Sequence, residues 1–178
     1  MNPLPLLQQI VSRTPGFVWG ILLLCIAMGA MQSRDQRMTR QRVLRVSAVW
    51  CLFGLWGVVS AFGLQWHSVA AWLSGLGLTV GALKDRRWPA GVRYDGGNGL
   101  YFVPGSWLPM AIIMALFMAK YSVGVSLGLM PELAQVALFG TAVSALYGAL
   151  SGLFIARAGN IVRCDRRARA APRKTLTA

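Results

Sequence analysis

Lys120 is the residue best placed to do chemistry, because it is a lone charge inside a long apolar run. The run covers about 107–129, and Lys120 follows its start by about 13 residues, or roughly 20 Å along a helix. An ionised lysine at the centre of a membrane-spanning helix costs about 2.5–3.5 kcal/mol, so such residues face the bundle interior and need a partner. We therefore predict an intramembrane polar site around Lys120.

The partner of Lys120 is not a carboxylate within the apolar runs, because none of them contains Asp or Glu. We group Lys120 with its neighbour Tyr121 and with Ser144 and Tyr147 of the next run. Other hydroxyl groups at a matching depth belong to Ser60, Thr79 and Thr141. Three states of the lysine stay open: a neutral buried amine, an ammonium beside water or a bound anion, or a packing residue whose stem reaches the outer interface.

Small residues recur at every fourth position along the last two apolar runs. Such stripes let helix backbones approach closely within a membrane. Gly124 and Gly128 continue the face of Lys120, and we expect this face to meet the stripe of the last run. The residues predicted to pack helices together are Gly124, Gly128, Gly140, Gly148 and Gly152.

Other residue types that carry chemistry are too few or wrongly spaced. His67 is the single histidine, and the three cysteines have no CxxC spacing, which favours reduced structural thiols over a redox or haem-delivery role. A methionine stripe in the Lys120 run could ligate copper(I), but it lacks neighbouring Cys or His and favours packing. The turn-forming segment 95–99 lacks the strand-to-helix context of a nucleotide loop. We predict no enzyme activity, no metal site and no cofactor.

Composition predicts the class of protein. Hydrophobic residues make up 56% of the chain and charged residues 13%, about half the roughly 25% expected of a soluble domain. A membrane span needs about 20 mostly apolar residues, and the chain has several such runs. We predict an all-α membrane protein, a bundle of five transmembrane helices. The spans lie at about 16–31, 46–64, 69–83, 107–129 and 133–156.

Three further segments complete the predicted organisation. Residues 1–14 form a short N-terminal segment, 15–157 a single transmembrane domain and 158–178 a basic tail. In the loop 84–106, β-branched and aromatic residues flank the turn at 95–99, which predicts a small cytoplasmic β-hairpin between helices 3 and 4. The first span resembles a signal peptide in length, but its positive cluster follows it, which favours a retained helix beginning at Thr14 and Pro15.

The basic residues predict the orientation. The net charge is +13, and 16 of the 18 Lys and Arg lie in the first loop, the third loop and the end of the last span together with the tail. The positive-inside rule then places the N-terminus in the periplasm and the C-terminus in the cytoplasm of a bacterial inner membrane. Because this distribution already explains the excess of basic residues, we predict no nucleic-acid partner. The expected partners are the lipid bilayer and, at the cytoplasmic face, anionic lipid headgroups.

Short motifs indicate a family resemblance over most of the chain after residue 13. They are Thr14-Pro15, Tyr94-Asp95, the run 104–109, Lys120-Tyr121, Tyr147-Gly148 and Ser151-Gly152. The chain resembles an uncharacterised family, a domain of unknown function, of small bacterial inner-membrane proteins. Its plan of loops and spans also resembles, in architecture alone, CcdC-like membrane proteins. The first resemblance implies a proteobacterial inner membrane and no assigned activity.

Two functions fit these features. Five helices with little outside the membrane are typical of a small accessory or scaffold component that works with a larger membrane partner. The alternative is an oligomeric transporter or channel, in which Lys120 meets a small anion or a proton-coupled solute. A homo-oligomer is compatible with both.

Overall fold

A computed structural model shows a mostly helical chain with one small β-sheet. The structure describes residues 12, 14–84, 86 and 88–170, the last six of these in their backbone only. Most of the predicted N-terminal segment 1–14 and the end of the predicted basic tail, 171–178, lie outside the described residues.

Five α-helices form the body of the structure. We number them α1 to α5 in chain order: Gly16–Gln32, Arg40–Phe62, Trp66–Leu83, Leu108–Leu129 and Ala137–Ala170. A 3-10 helix, Pro131–Gln135, precedes α5. Three helices are long and apolar enough to cross a membrane: α2, α4 and the part Ala137–Cys164 of α5. α1 is apolar but has only 17 residues, and α3, with 18 residues, is not among the three.

The helix boundaries differ most from the sequence prediction at two places. α2 starts at Arg40, where the hydroxyl of Thr39 accepts a hydrogen bond from the backbone N–H of Arg42 at 3.4 Å. A hydroxyl N-cap followed by arginines favours a helix, so the basic loop is partly helical. At the other end, α5 runs on to Ala170, so the first part of the predicted tail continues the helix.

The start of α1 also differs from the prediction. Thr14 was expected to cap this helix, but the residue at the N-cap is Pro15, and its side chain makes no capping hydrogen bond. The Thr14 hydroxyl instead lies 2.9 Å from the hydroxyl of Tyr121 in α4. The side chain therefore joins the segment before α1 to α4.

α5 is the central helix of the bundle. It packs along α3 and α2, whereas α4 packs chiefly against α1. Large apolar side chains on the outer surface of the helices are exposed, among them Leu52 at 64% and Leu78 at 75%. An exposed apolar surface of this kind is what a lipid environment requires of helices.

A three-stranded antiparallel sheet lies at one end of the bundle. Its strands are β1 (Gln36–Met38), β2 (Arg93–Asp95) and β3 (Leu100–Val103), and their order is β1-β3-β2. The predicted hairpin is present as β2 and β3. β1 was not predicted, because three residues in an arginine-rich loop are too short to show a strand pattern.

Candidate functional site

Lys120 lies on the side of α4 that faces α2. Its side chain is partly buried, and its Nζ lies 4.3 Å from the centroid of the Phe53 ring. A cation over an aromatic face is attracted by the negative face of the ring. Phe53 is thus the partner that the sequence left unidentified, and an aromatic ring takes the place of the expected polar group.

Gly57 makes room for this arrangement. A Cβ atom placed on Gly57 would lie 3.0 Å from Cε2 of Tyr147 and 3.5 Å from Cδ of Lys120. The missing side chain lets the Tyr147 ring of α5 and the lysine stem of α4 meet against the same turn of α2. We call Phe53, Gly57, Lys120 and Tyr147 the lysine site.

The structure brings Lys120 and Tyr147, two of the four predicted polar residues, together. Lys120 and Tyr147 both contact the Gly57 turn, and Tyr147 is 1% exposed. The hydroxyl of Tyr121 meets that of Thr14, in the segment before α1. Ser144 is fully buried, and its hydroxyl has no hydrogen-bond partner among the described residues.

The other hydroxyl groups proposed as partners of Lys120 bond within their own helices. Ser60 donates to the carbonyl of Gly57, and Thr79 donates to the carbonyl of Gly75. Thr141 donates to carbonyl groups one turn earlier in α5. A hydroxyl that bonds back to its own helix needs no second partner, so depth alone did not identify the neighbours of Lys120.

The small residues of α5 pack closely, but against α3 instead of α4. A Cβ on Gly148 would lie 2.0 Å from the carbonyl oxygen of Trp72, and one on Gly152 would lie 2.8 Å from that of Leu76. Gly140 is also buried, with the Phe62 ring 3.5 Å from the position of its Cβ.

The two glycines of α4 make no close contact in the described part of the chain. A Cβ on Gly124 or on Gly128 would meet nothing within 4 Å among the described residues, and both glycines are exposed. The face that carries them does not pack on α5. Both glycines lie in the final turns of α4, after Tyr121, whose hydroxyl meets that of Thr14 just before α1.

Two close contacts were missed at the sequence level. A Cβ on Gly75 in α3 would lie 2.2 Å from the carbonyl oxygen of Ala145. A Cβ on Gly54 in α2 would lie 2.2 Å from the hydroxyl of Ser151, which is buried and has no hydrogen-bond partner among the described residues. The glycines of α2 and α3 are visible in the sequence and could have been recognised as packing residues, but their spacing does not indicate which helices meet.

The sheet and the end of α5 form a second polar region, which we call the cap. Tyr101 and Val103 of β3 pack against Val43 of α2 and against Ala158 and Ile161 of α5. Side chains of α5 also bind the neighbouring loop, as three hydrogen bonds show. Asn160 donates to the carbonyl of Leu83 at 3.1 Å, Arg163 to that of Lys84 at 2.9 Å and Cys164 to that of Val92 at 3.3 Å.

Arg157 is an exception among those basic residues assigned to the cytoplasmic side whose side chains the structure describes. It is only 8% exposed, and its Nη1 has no hydrogen-bond partner among the described residues. Counting loop charges treated it as a surface residue, because sequence does not show that α5 continues as a packed helix past this position.

Asp95 organises the turn between β2 and β3. Its carboxylate accepts hydrogen bonds from the backbone N–H of Gly97 at 3.1 Å and from the side chain of Asn98 at 2.8 Å. The Asn98 hydrogen bond first, then the Gly97 bond and the charge of Arg37, lower the pKa of Asp95. The carboxylate therefore stays ionised at neutral pH and holds the turn.

Neither a metal centre nor a disulfide is formed by the described residues. They contain no group of three or more His, Cys, Asp or Glu side chains that could hold a metal ion. Cys25 and Cys51 lie in α1 and α2, Cys164 lies in the cap, and all three are free thiols.

The fold and the site together define a mostly helical protein with three helices able to cross a membrane and a small sheet at one end. The chain belongs to DUF6622, a family of unknown function, and the match covers residues 2–172. This confirms the predicted membership of an uncharacterised family. No curated protein and no solved structure matches the chain.

Proposed function

We propose that the chain is a five-span protein of the bacterial inner membrane that serves as a small accessory or scaffold component. The observation that carries the proposal is the composition of the sheet. β1 comes from the connection between α1 and α2, and β2 and β3 come from the connection between α3 and α4. Two connections that share one sheet lie on the same side of a membrane. The two helices between them, α2 and α3, therefore cross the membrane in opposite directions.

The positive-inside rule supports the orientation. The connections that form the sheet, the first turns of α2 and the C-terminal part of the chain from Arg157 onward carry 16 of the 18 Lys and Arg of the chain. That side is the cytoplasm, with the N-terminus in the periplasm. α1 with 17 residues and α3 with 18 residues extend roughly 26 Å, slightly less than the roughly 30 Å of hydrocarbon, which local thinning of the bilayer accommodates.

The contacts of Lys120 support a scaffold more than a transporter. Its ammonium lies over the ring of Phe53 and its stem packs at Gly57, so the residue joins α4 to α2. A transport site needs a route for water or ions to the lysine, whereas a packing role needs only these neighbours. A larger membrane partner or a second copy of the chain is the expected companion of such a scaffold.

Labelling of single cysteines in intact cells tests the topology. The three native cysteines are replaced, and one cysteine is introduced as Gln65→Cys, Glu132→Cys or Asn98→Cys. Five spans with an outer N-terminus predict that a membrane-impermeant maleimide labels the first two variants in intact cells and the third only after permeabilisation. Labelling of Asn98→Cys in intact cells would overturn the proposed orientation.

Flux measurements separate the scaffold from the transporter. Wild-type and Lys120→Met proteins are reconstituted into liposomes, and chloride and proton flux are recorded after the folded fraction has been matched. The scaffold proposal predicts equal background flux for both proteins. Flux above that of empty liposomes in the wild type, abolished in Lys120→Met, would instead establish the transporter.

A further inference from the structure

An arginine–phenylalanine–arginine row crosses the outer face of the cap. In the register of the sheet, Arg37 of β1 and Arg93 of β2 each lie opposite Phe102 of β3. Both arginines are exposed, and Phe102 is half-buried between them. Alternate residues of a strand point to opposite faces, so these three side chains share one face. We call them the arginine row.

The row lines a cleft sized for a small anionic group. The cleft has a volume of about 240 Å³ and is lined by Arg37, Arg93, Asp95, Leu100 and Phe102. Neighbouring strands lie about 4.8 Å apart, so the two arginine backbones are roughly 10 Å apart and both guanidinium groups can reach one group above Phe102. Guanidinium groups bind phosphate oxygens in pairs, and this geometry suits a phosphate better than a single carboxylate.

The depth of the row points to a lipid as the source of the phosphate. The opposite face of the sheet packs on Val43 and Ala158, which belong to helices long and apolar enough to cross a membrane. Arg37 precedes the first residue of α2 by three positions, which limits their separation to about 10 Å. A row this close to the ends of the helices is within reach of the lipid headgroups.

We infer that the arginine row binds the headgroup phosphate of an anionic phospholipid in the cytoplasmic leaflet. This rests on the proposed membrane location and goes beyond the general attraction of basic loops to such lipids. Two arginines outweigh Asp95, whose carboxylate lies at the edge of the cleft and opposes an anion. The assignment gives the cap a second role besides joining the loops, because a bound lipid fixes the cap to the bilayer surface.

The test uses the full chain in a neutral detergent, titrated with phosphatidylglycerol or phosphatidylcholine, with bound lipid counted by native mass spectrometry. The wild type is expected to prefer phosphatidylglycerol. Arg37→Gln with Arg93→Gln should weaken that binding about 25-fold, since each arginine near an anionic surface contributes about fivefold. The matched control, Arg42→Gln with Arg45→Gln, removes the same charge from exposed positions of α2 outside the cleft and should weaken binding clearly less than the row variant does.

A variant that should strengthen lipid binding excludes misfolding as the cause of the weaker binding in the arginine variants. Asp95→Asn keeps an acceptor for the turn but removes the negative charge, and it should tighten phosphatidylglycerol binding by up to about fivefold. Equal losses in the two arginine pairs would overturn the assignment in favour of general surface charge. Displacement of the lipid by millimolar inorganic phosphate would overturn it in favour of a soluble anion. If the chain leaves the membrane fraction in alkaline carbonate, the membrane location itself fails, whatever the row binds.

Discussion

The glycines of α5 and those of α4 follow the same four-residue spacing, yet the structure uses them in opposite ways. Gly148 and Gly152 lie against the backbone of α3, at distances that leave no room for a methyl group. Gly124 and Gly128 lie on an open face of α4. The difference teaches that a stripe of small residues permits close approach but does not choose the partner helix. The partner is the helix that lies alongside the stripe in the fold, which for α5 is α3.

The largest expected effect comes from Gly148→Val. Its Cβ would lie 2.0 Å from the carbonyl oxygen of Trp72, and a backbone group cannot move aside as a side chain can. We expect α3 and α5 to separate and the free energy of unfolding to fall by about 3 kcal/mol or more, as in severe overpacking. Equilibrium unfolding in mixed micelles of increasing SDS content measures this loss.

Gly124→Val is the matched control for that comparison. It adds the same side chain to a glycine of the same spacing that faces open space, so the change should stay within about 0.5 kcal/mol. An equal loss in both variants would mean that the Gly124 face also packs closely, and the contrast between the two helices would disappear.

A smaller effect, with a rescue, is expected where α2 crosses α5. Gly54→Ala would place a methyl group 2.2 Å from the hydroxyl oxygen of Ser151. We expect a loss of about 1–3 kcal/mol. Adding Ser151→Ala removes the clashing oxygen and leaves the Ser151 Cβ at an ordinary 3.5 Å, so the double variant should regain most of the stability. Additive effects of the two substitutions would show that this contact does not exist.

The smallest effect concerns the contact that holds α4 to α2. A double-mutant cycle of Lys120→Met and Phe53→Leu should give a coupling free energy of about 1 kcal/mol, typical of a partly desolvated cation over an aromatic ring. The same SDS titration provides the measurement. A coupling of zero would leave Lys120 without a packing role and would favour the transport alternative.

Sequence patterns predicted the helices better than the contacts between them. Gly148 and Gly152 were recognised as packing residues, but their partner was expected to be α4 and is α3. Small residues are visible as a spacing, whereas the facing backbone, such as that of Trp72, leaves no trace in the local sequence. The lysine site shows the same limit, because a search for polar partners passes over the ring of Phe53.

The cap shows what pairing between distant segments adds. The hairpin around Asp95 was predictable, because turn residues separate two β-prone segments. β1 was not, because its only support is the pairing with β3, in which Gln36 lies opposite Val103, 67 residues further along the chain. Arg157 is similar, since only the packing of α5 shows that this basic residue is buried.

The pairing of β1 with β3 can be tested directly by disulfide cross-linking. Arg37→Cys and Phe102→Cys are introduced into a chain without its native cysteines, and isolated membranes are treated with a mild oxidant. Residues opposite each other in an antiparallel pair have Cα atoms about 4.5–5.5 Å apart, within the range of a disulfide. The account predicts rapid cross-linking of this pair and little for the control pair Arg37→Cys and Asn98→Cys. Equal or absent cross-linking in both pairs would contradict a cap that joins the two basic connections on one side of the membrane.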